Sequence, residues 1–242
     1  MRFSRVFVPA LLPVLLAACS PDPLHFEGRD TRTFTPDLCL AFDLIPGPVP
    51  PDKAGGPSLQ ARSSLAVELD FASVRGKSSQ DVPAGENPEF DGTTFPGPTR
   101  LRSELSLIKS TAVMRGGLHL GWNLWLEARL GAGAVYRSME ISSESRKEHD
   151  SRWSGGMEIG AGVHWYPLSW GGVFAEFSGC ETSGSGTELS TDVSDIGVIV
   201  SPRRGVEFTG SWRRWTYLES PTFGSDIEYE LKGPMLGLKL VF

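Results

Sequence analysis

Residues 233–242 read GPMLGLKLVF, and how these positions are read decides the fold. Leu236, Leu238, Leu240 and Phe242 fall on alternate positions, so a strand here carries one apolar face that ends on an aromatic. A terminal strand of this kind, left bare, invites pairing with other chains. The rest of the sequence has to supply a cover for its face and its edge.

The same period of two recurs upstream. SLAVELDFAS sets Leu65, Val67, Leu69 and Phe71 against Glu68 and Asp70, and NLWLEARLGAGAVY sets Leu124, Leu126, Ala128 and Leu130 against Glu127 and Arg129. WSGGMEIGAGVHWY places Met157, Ile159, Val163 and Trp165 opposite Glu158 and His164. GVFAEFSG and GVEFTGSW repeat the pattern, with Glu176 and Glu207 facing away from Val173, Phe177, Val206 and Phe208. Alternation sustained over this many segments is a strand signal. Two segments change phase: Leu101, Leu105 and Leu107 give way to Ala112, Met114, Leu118 and Leu120, and Leu189 and Val193 give way to Ile196, Val198 and Val200. A bulge, or a strand projecting well beyond a bilayer, accounts for such a shift.

With the carboxy-terminal segment, eight strands are expected over residues 62–242. Their connections alternate in length. A Pro/Gly-rich stretch at about residues 75–99 is followed by the tight GWN, then by SSESRKEHDSR, YPLSWG, ETSGSGT, SPRRG and LESPTFGSD. Bacterial outer-membrane barrels have short periplasmic turns and longer external loops. The expected fold is therefore all-β: an eight-stranded antiparallel, up-and-down transmembrane β-barrel whose last strand pairs with its first. Small residues (Gly131, Gly133, Gly160, Gly162) would make room inside it. Trp122, Trp165, Tyr166 and Trp170 at one end, and Trp153, Tyr136, Trp215 and Tyr217 at the other, would form two interfacial girdles.

The face opposite the apolar residues carries Glu68, Asp70, Arg115, Glu127, Arg129, Glu158, Glu176, Glu207, Arg213 and Lys239. In a soluble sandwich these would be solvated. In a barrel of this size they point into a lumen just wide enough for side chains, where buried charges must pair. A closed, charge-filled lumen rather than a porin channel is expected.

At the amino-terminus, Arg2 and Arg5 precede VFVPALLPVLL, an apolar run too short to span a bilayer. It ends in LAAC, Leu16–Cys19, which resembles the lipobox of bacterial lipoproteins. That resemblance implies a signal peptide at 1–18 and acylation of Cys19; an ordinary cleavable signal leaving a free thiol is the alternative. Ser20, where an inner-membrane lipoprotein tends to carry aspartate, implies the outer membrane. Residues 19–61, with IPGPVPPDKAGGPS, read as a Pro/Gly-rich periplasmic tether containing LCLAFDLI, an extra strand or a docking segment. An even strand count puts both termini in the periplasm and the long loops outside the cell. Cys39 and Cys180 are expected on opposite sides of the membrane, and unbonded.

Across residues 62–242 the chain resembles small eight-stranded outer-membrane proteins of Gram-negative bacteria. The resemblance implies that Leu236, Leu238, Leu240 and Phe242 are read by the barrel-assembly machinery. It also implies outer-membrane lipid and other envelope proteins as partners. A net charge of −6 over 242 residues, with no basic run, argues against nucleic acid. No G-x-S-x-G, H-E-x-x-H or phosphate loop occurs, so no catalytic residue, cofactor or metal is assigned. His149, in RKEHD, reads as part of a solvated loop rather than a metal site. Lipid A deacylases of similar barrel form need a serine beside their histidine, and His164 has none adjacent. The expected function is a non-enzymatic outer-membrane barrel lipoprotein that offers surface contacts or serves an envelope assembly. The alternatives are a barrel enzyme acting on lipid A and a soluble lipocalin-like periplasmic lipoprotein binding a small apolar ligand.

Overall fold

The computed structural model describes residues 24–30, 35–45, 63–184, 187–203, 205–221 and 224–242. The signal segment and Cys19 lie outside these residues. The strands are β1 (Leu24–Asp30), β2 (Thr35–Ile45), β3 (Ser63–Val82), β4 (Glu89–Phe90), β5 (Thr93–Thr94), β6 (Thr99–Gly121), β7 (Leu124–Ser142), β8 (Lys147–Leu168), β9 (Gly171–Gly184), β10 (Thr187–Arg203), β11 (Val206–Pro221) and β12 (Ile227–Val241). Among the described residues no helix is long and apolar enough to cross a membrane, a fact that says nothing about crossing by strands.

From β3 through β6 to β12, each long strand pairs antiparallel with the next. Turns at the lower end are tight. Trp122 and Asn123, with φ of 51° and 60°, join β6 to β7 in the left-handed conformation that suits a two-residue hairpin. At the upper end, most of the expected long loops are strand instead. SSESRKEHDSR is largely the tips of β7 and β8, which extend the hairpin upward.

The closure differs from the expected one. β12 does not pair with β3; β1 and β2 lie between them. β1 pairs parallel with Ile227–Lys232 of β12 and meets β3 at Gly76 and Lys77, while β2 pairs parallel with Met235–Val241 and antiparallel with Leu65–Ala72. Together they act as one interrupted strand that closes a ten-stranded sheet into a ring. The expected eight-stranded, wholly antiparallel closure is thus corrected, and so is the tether: residues 24–30 and 35–45 belong to the sheet. The reason lies in their residues. Leu38, Leu40 and Phe42 alternate with Asp37, Cys39 and Ala41 just as the other strands do. Phe42 also stacks on Phe242, with ring centroids 5.4 Å apart. Because β1 and β2 run the same way as β12, the chain enters the sheet at the upper end and finishes at the lower. The expectation that both termini share one side turns on residues 1–23, which lie outside the described residues.

The two phase changes are not bulges. Along β6 the odd residues point inward throughout. Leu101, Leu105 and Leu107 are fully buried, whereas Met114, Leu118 and Leu120 on the opposite face are 54%, 45% and 53% exposed. The strand keeps its phase and the apolar residues change sides. β10 does the same, with Leu189 and Val193 inside and Ile196 and Val198 outside. The ring therefore has two zones. Its upper interior is an apolar core that includes Leu24, Phe26, Leu105, Met139, Trp215, Tyr217 and Tyr229, capped by Phe90 and Phe95 from the β4–β5 connection. Trp215 and Tyr217 accordingly sit in this core, not in an outer girdle as expected. The upper exterior is polar; Arg75 Nε and Lys77 Nζ, for example, lie 2.7 and 2.9 Å from Glu104. In the lower zone the exterior is apolar and the interior charged.

Since β2 is hydrogen-bonded on both edges, Leu40→Pro is expected to lower stability by about 3 kcal/mol or more. Leu44→Pro, at the register break between Asp43 and Ile45, is expected to be tolerated. Urea unfolding of the two variants in detergent, followed by tryptophan fluorescence, checks the contrast.

Candidate functional site

The lower interior is built from inward positions of β2, β3 and β6–β12. Arg115 on β6 bridges two strands: its Nε lies 2.9 Å from Glu68, and its Nη1 donates to both oxygens of Glu127 at 2.9 and 2.8 Å. Glu68 also accepts from Lys239 on β12, across the closure. Arg129 donates to Glu176. Lys109 lies 2.7 Å from Glu158, and Arg213 joins Asp195 (2.6 Å) to Asp37 (2.7 Å). His164 Nε2 sits between Glu127 (3.2 Å) and Glu176 (3.0 Å).

Close packing makes this possible. A Cβ on Gly160 would lie 2.7 Å from the Arg129 side chain, and one on Gly162 would lie 3.1 Å from that of Glu176. These glycines are the space the ion pairs occupy. What remains is a cavity of about 120 Å³, lined by residues including Asp70, Glu158, His164, Asp195, Glu207 and Lys239. That is room for a few waters, not for a solute path.

Of the ten residues assigned to the interior from sequence, Glu68, Asp70, Arg115, Arg129, Glu158, Glu176, Glu207, Arg213 and Lys239 line this cavity, and Glu127 pairs beside it with Arg115 and His164. Asp70 and Glu207 have no cation within ion-pair distance among the described residues. Four further members were missed: Asp37, Cys39, Lys109 and Asp195. Asp37 and Cys39 lie in the segment read as a tether. Lys109 and Asp195 stand where the apolar residues change sides, and following the strand phase rather than the apolar residues would have found them. Cys39 and Cys180 are both free thiols, and both belong to inward positions, Cys39 in the lower zone and Cys180 in the apolar core.

A second ion cluster stands in the upper zone. Arg137, with no exposed surface, bonds Asp150 and lies 3.2 Å from Glu219, which also accepts from Tyr217. Arg152 Nε donates to Asp150 at 2.9 Å. Burial would raise the Asp150 carboxyl, but the hydrogen bond from Arg152 and the charge of Arg137 outweigh it and hold the group below its ordinary value.

Leu236 on β12 and Phe242, just past its end, are exposed, and Leu238 and Leu240 share the face of Leu236 half-buried. The turn residue Trp122 is almost wholly exposed, and Trp153, Trp165 and Trp170 project outward. Comparison with protein-family models, curated proteins and solved structures finds no match for the chain.

Removing one partner from a buried pair leaves the other charge uncompensated. Arg115→Met, which removes the arginine from Glu127 and leaves Glu68 only Lys239, is expected to cost about 3–5 kcal/mol. The double variant Arg115→Met/Glu127→Gln should recover part of that loss, as read by denaturant midpoints.

Proposed function

We propose that this chain is a non-enzymatic integral outer-membrane β-barrel protein. Its lower zone sits in the bilayer and its upper zone stands clear of it, serving surface contact or an envelope assembly. The observation that carries this reading is the change of apolar side within single, unbroken strands. An apolar exterior over a charged interior suits hydrocarbon, and the reverse suits water. From Trp153 to Trp165 the outward face of β8 carries Met157, Ile159 and Val163. At about 3.3 Å per residue and a tilt near 40°, that stretch rises about 30 Å, which matches a hydrocarbon core bounded by aromatics.

The alternatives fit less well. A lipocalin-like carrier needs an apolar cavity of roughly 300–1,000 Å³, and the lower interior offers a charged one of about 120 Å³. A lipid A hydrolase needs an activated serine, and His164 faces two carboxylates inside the ring.

The barrel-assembly reading of β12 orients the molecule, with Phe242 at the periplasmic end and the upper zone outside the cell. Labelling of intact cells at Lys147 or His149 tests this orientation. Reactivity only after the outer membrane is breached would reverse it.

The membrane reading is tested by fractionation. Detergent dependence and heat-modifiable gel mobility are expected; recovery of the unacylated chain folded and monodisperse without surfactant would overturn it. Ile159→Arg, at mid-band on the outer face, should cost about 2–4 kcal/mol. Ser151→Arg, on the same face of the same strand but above the band, should change stability by no more than about 0.5 kcal/mol. Folding titrations in lipid vesicles measure both.

A further inference from the structure

We propose that the lower interior binds one divalent metal ion of the zinc class, held by Glu127, His164 and Glu176. Three observations point there. First, their donor atoms converge: His164 Nε2 is 3.0 Å from Glu176 Oε1 and 3.2 Å from Glu127 Oε2, and one ligand atom from each residue lies within 4.8 Å of the others. Metal–ligand bonds of about 2.0–2.2 Å in tetrahedral array require donor separations of this order.

Second, His164 is 4% exposed; its Nδ1 has no partner among the described residues, and its Nε2, though within ion-pair distance of Glu176 and Glu127, is not aligned for a hydrogen bond to either. It lines the cavity, as does Asp195, which is 6% exposed and has an unpartnered Oδ1. Buried polar atoms left in this state call for a ligand. A proton on Nε2 can be given to only one carboxylate at a time, whereas a metal bonds all three donors at once. The cavity supplies room for a water as fourth ligand.

Third, the charges do not balance. The interior carboxylates (Asp37, Glu68, Asp70, Glu127, Glu158, Glu176, Asp195 and Glu207) outnumber the cations (Lys109, Arg115, Arg129, Arg213 and Lys239) by three. One divalent ion removes most of that excess. The neighbouring arginines do not obstruct it. Arg129 takes Glu176 Oε2 and leaves Oε1 free for the ion, and Arg115 donates to both Glu127 oxygens, so that the ligand Oε2 would accept from Arg115 while it binds the ion. Such outer partners orient metal ligands. The inference stands on this interior geometry and does not depend on what surrounds the ring.

The experiment uses the full chain, refolded in detergent, stripped with chelator and titrated with Zn²⁺ alone. Calorimetry and elemental analysis are expected to give one ion per chain and a raised thermal midpoint. Co²⁺ in its place should show the ligand-field spectrum of a low-coordinate nitrogen–oxygen site. His164→Asn, checked for folding by its gel mobility, should weaken binding by more than the roughly 10–100-fold lost when an outer-shell partner is removed. Binding well below one ion per chain by the unmodified protein overturns the proposal. So does full affinity in folded His164→Asn with loss in Cys39→Ser, which would move the ion to Cys39, Glu68 and Asp70. So does neutralisation by protons alone, seen as proton uptake on folding that added Zn²⁺ does not reverse.

Discussion

A strand fixes which face each of its residues takes, and it does so along its whole length. That constraint governs this molecule. β6 cannot turn its leucines from one side to the other without a bulge, and its ladder with β3 has none; the chemistry of the residues changes instead. Leu105 faces in and Leu118 faces out because the favourable place for an apolar group has switched part-way along the same ladder. On the membrane reading proposed above, the surroundings change from water to hydrocarbon part-way along the strand, which accounts for that pattern. The charged lower interior is then the other half of the same alternation, and its ion pairs are what make it tolerable.

Closure depends on a different economy, that of backbone hydrogen bonds. The edges of β3 and β12 would be open but for β1 and β2, which run parallel to one and antiparallel to the other. The two pieces obey the zones on either side. β1 hides Leu24 and Phe26 and exposes His25 and Glu27; β2 exposes Leu38 and Phe42 and turns Asp37 and Cys39 inward. One inserted strand also changes parity, and this is why β1 enters the sheet at the end opposite to the one where β12 leaves it.

Much of this was legible in the residues. Period two identified the eight long strands and the members of the interior from Glu68 to Lys239, because an ionic residue between two apolar ones leaves little choice of face. Other features were hidden for physical reasons. β2 carries the same alternation, but the proline- and glycine-rich stretch after it suggested a tether, and an even count left no place for another strand. Trp215 and Tyr217 were placed by their distance along the chain rather than by phase; they share the inward phase of Arg213. The upper hairpins read as loops because Ser, Glu and Arg dominate them, yet polar residues are what a strand shows when its outer face meets water.

A lower interior of leucine and valine would pack as well as ions do, so the charges need a reason beyond cohesion. Register supplies one. With both faces apolar, a strand could slip by a single residue at little cost, since either face would suit the apolar exterior and the core alike. With Arg115 held between Glu68 and Glu127, a slip of β6 against β3 or β7 carries a guanidinium towards the apolar exterior and leaves two carboxylates behind. The same applies to Lys239 and Glu68 at the closing seam, where β12 meets its parallel partner. Ion pairs that add little net cohesion can still forbid the wrong pairings. In a ring whose last joint is made by a short interrupted strand, that discrimination lets the sheet close in one way.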